Sequence, residues 1–357
     1  MTRYGPRLVL TSCLGLAALT TQLTYTLLAT SLPSLCLGFA LTGGLLAPCW
    51  PAVTSSLSAS FPDKALNSVF GFANSATFAG GLAGTALASY LLEFSGWRSV
   101  GLPPALLTLL ASLLVSLLLY SPAERGLKVP GKASVQSETR DEEKTVESKS
   151  LLSLLRIPCV AEVSCAMFSL KFVRYCMAMW LPLYLLEELG YSKLQAGIFS
   201  TVFDVGGIIG APVLGIALDR FASDRPLLGV SLLMVLGTVV TGLFALTASW
   251  GILFNSVFLL VAGAANSGPD SILAGSVSVR LGERSGAGLG GAVTSLINGV
   301  GQVGGVVEGP LIGVLAALVG WWGVLMALVL VSAVGSLATY RAFTVDQSER
   351  SSEGLLS

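Results

Sequence analysis

The sequence predicts an all-α integral membrane protein of about ten transmembrane helices, and three observations carry that expectation. Hydrophobic residues make up 53% of the 357 residues and charged residues only 11%, where a soluble domain carries about 25% charged residues. Apolar runs long enough for a hydrocarbon layer of about 30 Å recur along the whole chain. Lys and Arg gather on alternate connections between those runs, as the bias of positive charge toward the cytoplasmic face requires.

Four runs come first, near residues 8–30, 33–56, 65–92 and 99–120. The first follows Arg3 and Arg7. Those two cations before Leu8–Thr20 also fit a cleaved signal peptide, a reading that the internal repeat described below disfavours. The second run holds Gly43-Gly44, Pro48 and Pro51, and the third holds Asn74 and Gly80-Gly81, with Gly96-Trp97 leading into the fourth. Glycine and proline inside such runs serve close packing and kinks, or open backbone groups toward a cavity.

A polar stretch, 122–157, then carries Arg140-Asp141-Glu142-Glu143-Lys144 and several serines, the composition of a flexible cytoplasmic linker between two halves. Six more runs follow near 158–187, 194–218, 227–247, 250–275, 286–318 and 322–342. The expected domains are therefore a four-helix bundle at 1–121, the linker at 122–157, a six-helix bundle at 158–342 and a cytoplasmic tail at 343–357. With the N-terminus inside, sixteen of the twenty Lys and Arg fall on inside connections and tails; only Arg98 and Lys193 fall outside, and Lys171 and Arg174 lie within a span. One helix more or fewer would scramble that bias.

Asn74, Gly80-Gly81 and Gly96-Trp97 recur with the same spacing as Asn298, Gly304-Gly305 and Gly320-Trp321. A weaker echo joins Arg3 through Arg7 to the loop from Asp219-Arg220 to Arg225. Fixed-offset similarity between halves is the mark of transporter repeats. The second half has two helices ahead of its Asp219-Arg220 loop for which the first half has no counterpart, so the pattern predicts a six-plus-six arrangement lacking its first two helices.

Composition removes several classes of chemistry. No histidine occurs, which excludes Ser-His-Asp triads, HExxH zinc sites and imidazole relays. The six cysteines show no CxxC spacing and read as small buried hydrophobes. A net charge of zero leaves no basic footprint for nucleic acid, and no nucleotide loop, metal-binding pattern or cofactor motif is visible. An enzyme is not expected.

The candidate chemistry lies in the fifth run. Lys171 and Arg174, at i and i+3, share one helix face, and each costs about 2.5–3.5 kcal/mol at a helix centre on insertion scales. Arg offers a planar fork for two phosphate oxygens, and Lys adds a point charge. The pair reads as an anion site, or as the counter-charge to buried acids, for which Glu162, Asp204, Asp270 and Glu308 are the candidates. Asp204 and Asp270 are also the candidate proton carriers.

These residues resemble the major facilitator superfamily, and within it the organophosphate:phosphate antiporters, including the sugar-phosphate exchangers of solute carrier family 37 and bacterial glycerol-3-phosphate transporters. The resemblance rests on Gly215-Ile216-Ala217-Leu218-Asp219-Arg220, similar to the superfamily's GxxxDR loop; on Lys171-x-x-Arg174-Tyr175 with Trp180-Leu181-Pro182-Leu183-Tyr184; on Phe203-Asp204-Val205-Gly206-Gly207; and on Asn266-Ser267-Gly268-Pro269. It implies the major facilitator fold and alternating access that exchanges a phosphorylated metabolite for inorganic phosphate. It also implies Arg174 as the phosphate ligand with Lys171 beside it; Tyr175 and Asn298 are the further candidate substrate contacts, and Asp219 and Arg220, with Asp204 and Asp270, the candidate coupling or gating residues. Residence in the endoplasmic reticulum follows from the same resemblance.

The departures are specific. The family's other phosphate-binding Arg would fall ahead of residue 1, a family His is replaced by Ala76 or Thr77, and Asp270 stands where exchangers often carry an apolar or aromatic residue. A transporter of another organic anion or a sugar, coupled to protons, and a non-transporting truncated form are the alternatives.

Overall fold

A computed structural model describes residues 5–126, 151–285 and 289–356. The expected linker run Arg140–Lys144 and the first residues of the echo before the first helix, Arg3 and Tyr4, lie outside the described residues. Every regular element among the described residues is helical. In hydrocarbon no water satisfies the peptide groups, so each segment must close its hydrogen bonds on itself.

The elements are α1 (Gly5–Leu23), α2 (Leu32–Leu46), α3 (Cys49–Ser60), α4 (Leu66–Ser95), α5 (Leu102–Leu118), α6 (Leu151–Leu155), α7 (Val160–Glu187), α8 (Lys193–Phe221), α9 (Pro226–Leu246), α10 (Ile252–Ile272), α11 (Ser278–Arg284) and α12 (Gly290–Leu356). Local sequence sets several of their starts. Ser31 and Ser192 close capping boxes with Ser34 and Gln195 at the heads of α2 and α8, satisfying amides that the first turn leaves free. Proline opens α9 and lies in the first turn of α2 and α5, where its missing N–H costs nothing.

Seven helical stretches among the described residues are long and apolar enough to cross a membrane. The last of them, Gly290–Ser351, is broken at Gly320 and makes two arms. The remaining two long helices, α4 with 30 residues and α7 with 28, are diluted by Asn67, Ser68, Asn74 and Ser75 in one and by Lys171 and Arg174 in the other. The ten apolar runs of the sequence thus each have a helix.

The repeat has a structural counterpart in its glycines. Gly96 has φ 79° and ψ 164°, and Gly320 has φ 71° and ψ −179°. Side chains rarely adopt such a backbone, and at both places it ends one helix and starts the next.

The chain divides into two compact units, Met1–Pro62 with Gly80–Ser137, and Asp63–Ala79 with Glu138–Ser357. The first part of α4, through Ala79, groups with the second unit and the rest of that helix with the first. In the first unit α1 lies against α2, α3 and α5. Ser112 Oγ donates to the Thr11 carbonyl at 2.8 Å and Arg7 Nε to the Ser116 carbonyl at 2.9 Å. Outward leucines of α5, among them Leu107, Leu110, Leu114 and Leu118, are exposed, as a lipid-facing stripe requires.

The second unit is built on three tight pairings, α7 with α12, α8 with α10 and α9 with α12. Its core gathers Phe172, Tyr184, Phe203, Phe244, Leu259, Trp321 and Leu328. Backbones of α8 and α10 meet at Gly206, beside the Leu260 carbonyl, and at Gly263, beside the Phe203 carbonyl, the close approach that small residues permit in membranes. Trp321 Nε1 donates to Glu187 Oε2 at 3.0 Å. The stretch expected as a tail continues α12 through Leu356, and Asp346 in it bonds Arg284 at 2.6 Å and Arg350 at 2.9 Å.

Candidate functional site

The site is assembled within the second unit from α4, α7 and α10. α7 carries Lys171 and Arg174 one turn apart, and α10 carries Asn266-Ser267-Gly268-Pro269-Asp270 where its regular α-helix gives way to the π-turn Leu273–Val277. Such widened turns leave backbone groups free to adjust and often sit at functional places. Asn266 Nδ2 donates to the Leu170 carbonyl at 3.2 Å, which fixes α10 against α7 at the level of the cations.

Asp270 is 1% exposed and Lys171 7%. Lys171 Nζ sits 2.7 Å from Asp270 Oδ1 and donates to Oδ2 at 2.9 Å. Arg174 Nη1 donates to the same Oδ2 at 3.4 Å, and Asn74 Nδ2 from α4 at 3.3 Å. The Asn74 amide also reaches the Ser267 carbonyl at 3.3 Å. One carboxylate thus faces two cations and an amide, which satisfies the rule that buried charges are paired.

Arg174 is held differently from Lys171. Its guanidinium carbon lies 3.8 Å from the centroid of the Phe78 ring, a cation–π contact that favours the charged, flat fork. Its side chain is 14% exposed, and among the described residues its only ion pair is the long one to Asp270. Among the described residues the fork keeps donors free. Counting Lys171, Arg174 and Asp270 alone, the cluster carries one surplus positive charge. Half-buried Asp204 on α8 lies within electrostatic reach of Arg174.

Of the four acids that could answer the cations, Asp270 is the one bonded to both. Glu162 pairs with Arg341 at 3.3 Å, and Glu308 is 0% exposed with neither oxygen hydrogen-bonded. Tyr175 donates its hydroxyl to Gln302 Oε1 at 3.1 Å on an exposed face. Asn298 spends its amide on the carbonyls of Ala274 at 3.3 Å and Thr294 at 3.0 Å. Asp219 accepts from the backbone amides of Asn67 at 3.2 Å and Ser68 at 2.7 Å and from the Ser68 hydroxyl, so it caps the start of α4. Arg220, next to it, is exposed.

Lys171, Arg174 and Asp270 are thus brought together, with Asp204 nearby; Tyr175 and Asn298 hold contacts of their own, and Asp219 and Arg220 lie at the far end of α8. Two contributors are absent from the sequence reading, Phe78 as the platform under Arg174 and Asn74 as a ligand of Asp270. Asn74 does carry a signal, its place in the repeat, and both repeat asparagines reach the Ser267–Ala274 segment.

A model of the Major Facilitator Superfamily matches residues 1–307. This chain belongs to the Major Facilitator Superfamily. Curated relatives of this superfamily member include the glucose-6-phosphate exchanger SLC37A2 of Bos taurus, 27% identical over 322 residues, which are 82% of this chain and 65% of the relative. The putative glycerol-3-phosphate transporter 5 of Arabidopsis thaliana is 29% identical over 309 residues, 78% of this chain and 62% of the relative. Sugar phosphate exchanger 3 of Homo sapiens is 26% identical over 317 residues, 79% and 62%. The superfamily chain spans less than two thirds of the length of these relatives.

Solved structures of the superfamily share the fold. FucP in the outward conformation has a TM-score of 0.70 at 17% identity and covers 96% of this chain and 84% of its own. The proton:xylose symporter XylE has a TM-score of 0.73 at 16% identity, over 95% and 79%. The chain is a multi-pass, all-helical membrane protein with the major facilitator fold.

Proposed function

We propose that the chain is a secondary transporter that exchanges a phosphorylated metabolite, a sugar phosphate or glycerol phosphate, for inorganic phosphate by alternating access. The observation that carries this reading is Arg174: a cation inside a membrane helix, seated flat on Phe78 and left with free donors beside a second cation. A planar fork with open N–H groups suits two oxygens of a phosphate. Lys171 adds attraction without geometry, and the surplus charge favours an anion over a neutral sugar. The printed names of the relatives, glucose-6-phosphate exchanger, sugar phosphate exchanger and glycerol-3-phosphate transporter, support the same substrate class.

Within this reading Arg174 is the principal ligand and Lys171 its companion. Asp270 holds both cations in place between substrates and yields them to an arriving phosphate, Tyr175 and Asn298 flank the path, and Asp219 and Arg220 belong to the gate. The membrane that the resemblance implies is that of the endoplasmic reticulum. A second reading draws on Asp270, because a carboxylate at the cations leaves room for a less charged anion or a sugar, with Asp204 or Asp270 carrying a proton.

Exchange of labelled phosphate in vesicles, against internal phosphate, glucose-6-phosphate or glycerol-3-phosphate, separates the two. Arg174→Ala is expected to abolish exchange while membrane insertion persists. Exchange retained in that variant removes Arg174 as the ligand, and uptake driven by a pH gradient without counter-phosphate selects the second reading.

A further inference from the structure

Glu308 lies in the first arm of α12, 0% exposed, and neither of its oxygens has a hydrogen-bond partner among the described residues. The Cys176 thiol and the Trp180 indole of α7 are its polar neighbours, and neither carries a charge. α7 and this arm run side by side in register: Gly301 faces Met167 and Lys171, Gly305 faces Tyr175, and Gly313 faces Trp180. Glu308, seven residues beyond Gly301, therefore sits further along the seam than the cations, roughly 10 Å from the level of Lys171 at 1.5 Å per residue.

Among the described residues no cation answers it. Lys171 and Arg174 are engaged with Asp270. α9, the other long helix against α12, has no ionisable residue, and neither has α6. Arg280, Glu283 and Arg284 of α11 stand at the opposite end of the arm, near its start at Gly290. A carboxylate enclosed there without a counter-charge is costly.

An apolar side chain would fill the same place at less cost, and the surroundings are built to bend. Pro310 stands two residues beyond Glu308, and Pro182 two residues beyond Trp180. Each deprives its helix of one backbone hydrogen bond, to the carbonyls of Val306 and Ala178 respectively, and so gives it a hinge. The glycines between them leave the seam with few side chains to repack when it shifts.

We propose that Glu308 is a proton-binding site: it holds a proton in the closed seam seen here and gives it up when hinging at Pro182 and Pro310 admits water. The step is a simple ionisation. The acid O–H bond breaks, the proton passes to water and the carboxylate keeps the electron pair; the reverse step reloads it. Coupling of that proton to solute movement rests on the transport reading above, since the same two helices carry Lys171, Arg174, Tyr175 and Asn298.

Infrared spectra of the full chain in lipid test the protonation without any transport. A carboxylic C=O band at neutral pH that disappears in Glu308→Gln is the expected result; no band sensitive to that substitution overturns the site. In phosphatidylcholine vesicles with an internal pH dye, phosphate exchange at equal pH is expected to survive Glu308→Gln, whereas its stimulation by a pH gradient is lost. Stimulation that persists in the variant overturns the coupling. Glu308→Leu keeps the test decisive if the Gln variant fails to insert, because it must show the same two losses. Absence of phosphate exchange in the unaltered chain refutes the phosphate reading alone, and the infrared band then decides the proton site by itself.

Discussion

Replacing Asp270 by Asn removes one charge and almost no volume, which makes it a clean probe of the buried cluster. In the native arrangement Lys171 Nζ has Asp270 oxygens at 2.7 Å and 2.9 Å and is 7% exposed. Breaking a buried pair by removing one partner costs about 3–5 kcal/mol, because the survivor is left charged and dehydrated. Asn retains an acceptor oxygen for Lys171, so the lower end, about 3 kcal/mol, is expected. At roughly 2–4 °C per kcal/mol for a domain of this size, the unfolding midpoint should fall by about 6–12 °C.

The assay is thermal unfolding of the purified chain in detergent, followed by tryptophan fluorescence, for Asp270→Asn, Lys171→Met, Asp270→Leu and the double substitution Lys171→Met/Asp270→Leu. The double change removes the two closely paired charges together and leaves Arg174, 14% exposed and seated on Phe78, without its long pair, so the double variant should recover to within about 1–2 kcal/mol of the native chain. Added salt should change little, since a pair this deep is poorly screened. A midpoint for Asp270→Asn within about 2 °C of native, or a double variant no better than the worse single one, would falsify the assignment of Asp270 as the counter-ion of the two cations.

Two further predictions concern the frame around the site. Asp219→Ala removes the acceptor of the Asn67 and Ser68 amides and should cost about 0.5–2 kcal/mol, the usual loss on deleting a helix cap; amide exchange at the start of α4 should quicken, and unchanged protection there would count against the cap. Gly263→Val drives a side chain into the Phe203 carbonyl and should cost at least the 1–3 kcal/mol typical of overpacking, with a matching fall in the yield of folded protein in detergent; full yield and an unaltered midpoint would show that α8 and α10 do not meet there.

Hydropathy made the helices legible because the bilayer fixes their length. It also made the site helix legible, since Lys171 and Arg174 have no reason to interrupt an apolar run unless something compensates them. What compensates them was not legible. Asp270 lies 96 residues beyond Arg174, and a list of acids says nothing about the rotation of the helices that carry them, so Glu162, Asp204, Asp270 and Glu308 stood level until the packing separated them. Glu162 then takes Arg341, Asp270 takes the two cations and Glu308 takes none. Phe78 was hidden for a related reason, because an aromatic residue in an apolar helix looks the same whether it meets lipid or a guanidinium. The two long helices least suited to lipid by composition, α4 and α7, are the ones that supply Asn74, Phe78, Lys171 and Arg174. Weak hydropathy in a spanning segment therefore pointed toward the site.

The meeting of α8 and α10 at Gly206 and Gly263 has a consequence for how mutations are tolerated along the chain. Where main chain rests on main chain, no rotamer change can absorb an intruding atom, so the two helices behave as a single welded beam with no adjustable joint. Ile209 and Val213, on the outer side of that beam, are exposed and can drift among apolar residues without penalty. A survey of viable variants should thus record α8 as an alternation of frozen and free positions, the frozen ones marking where its neighbour touches it.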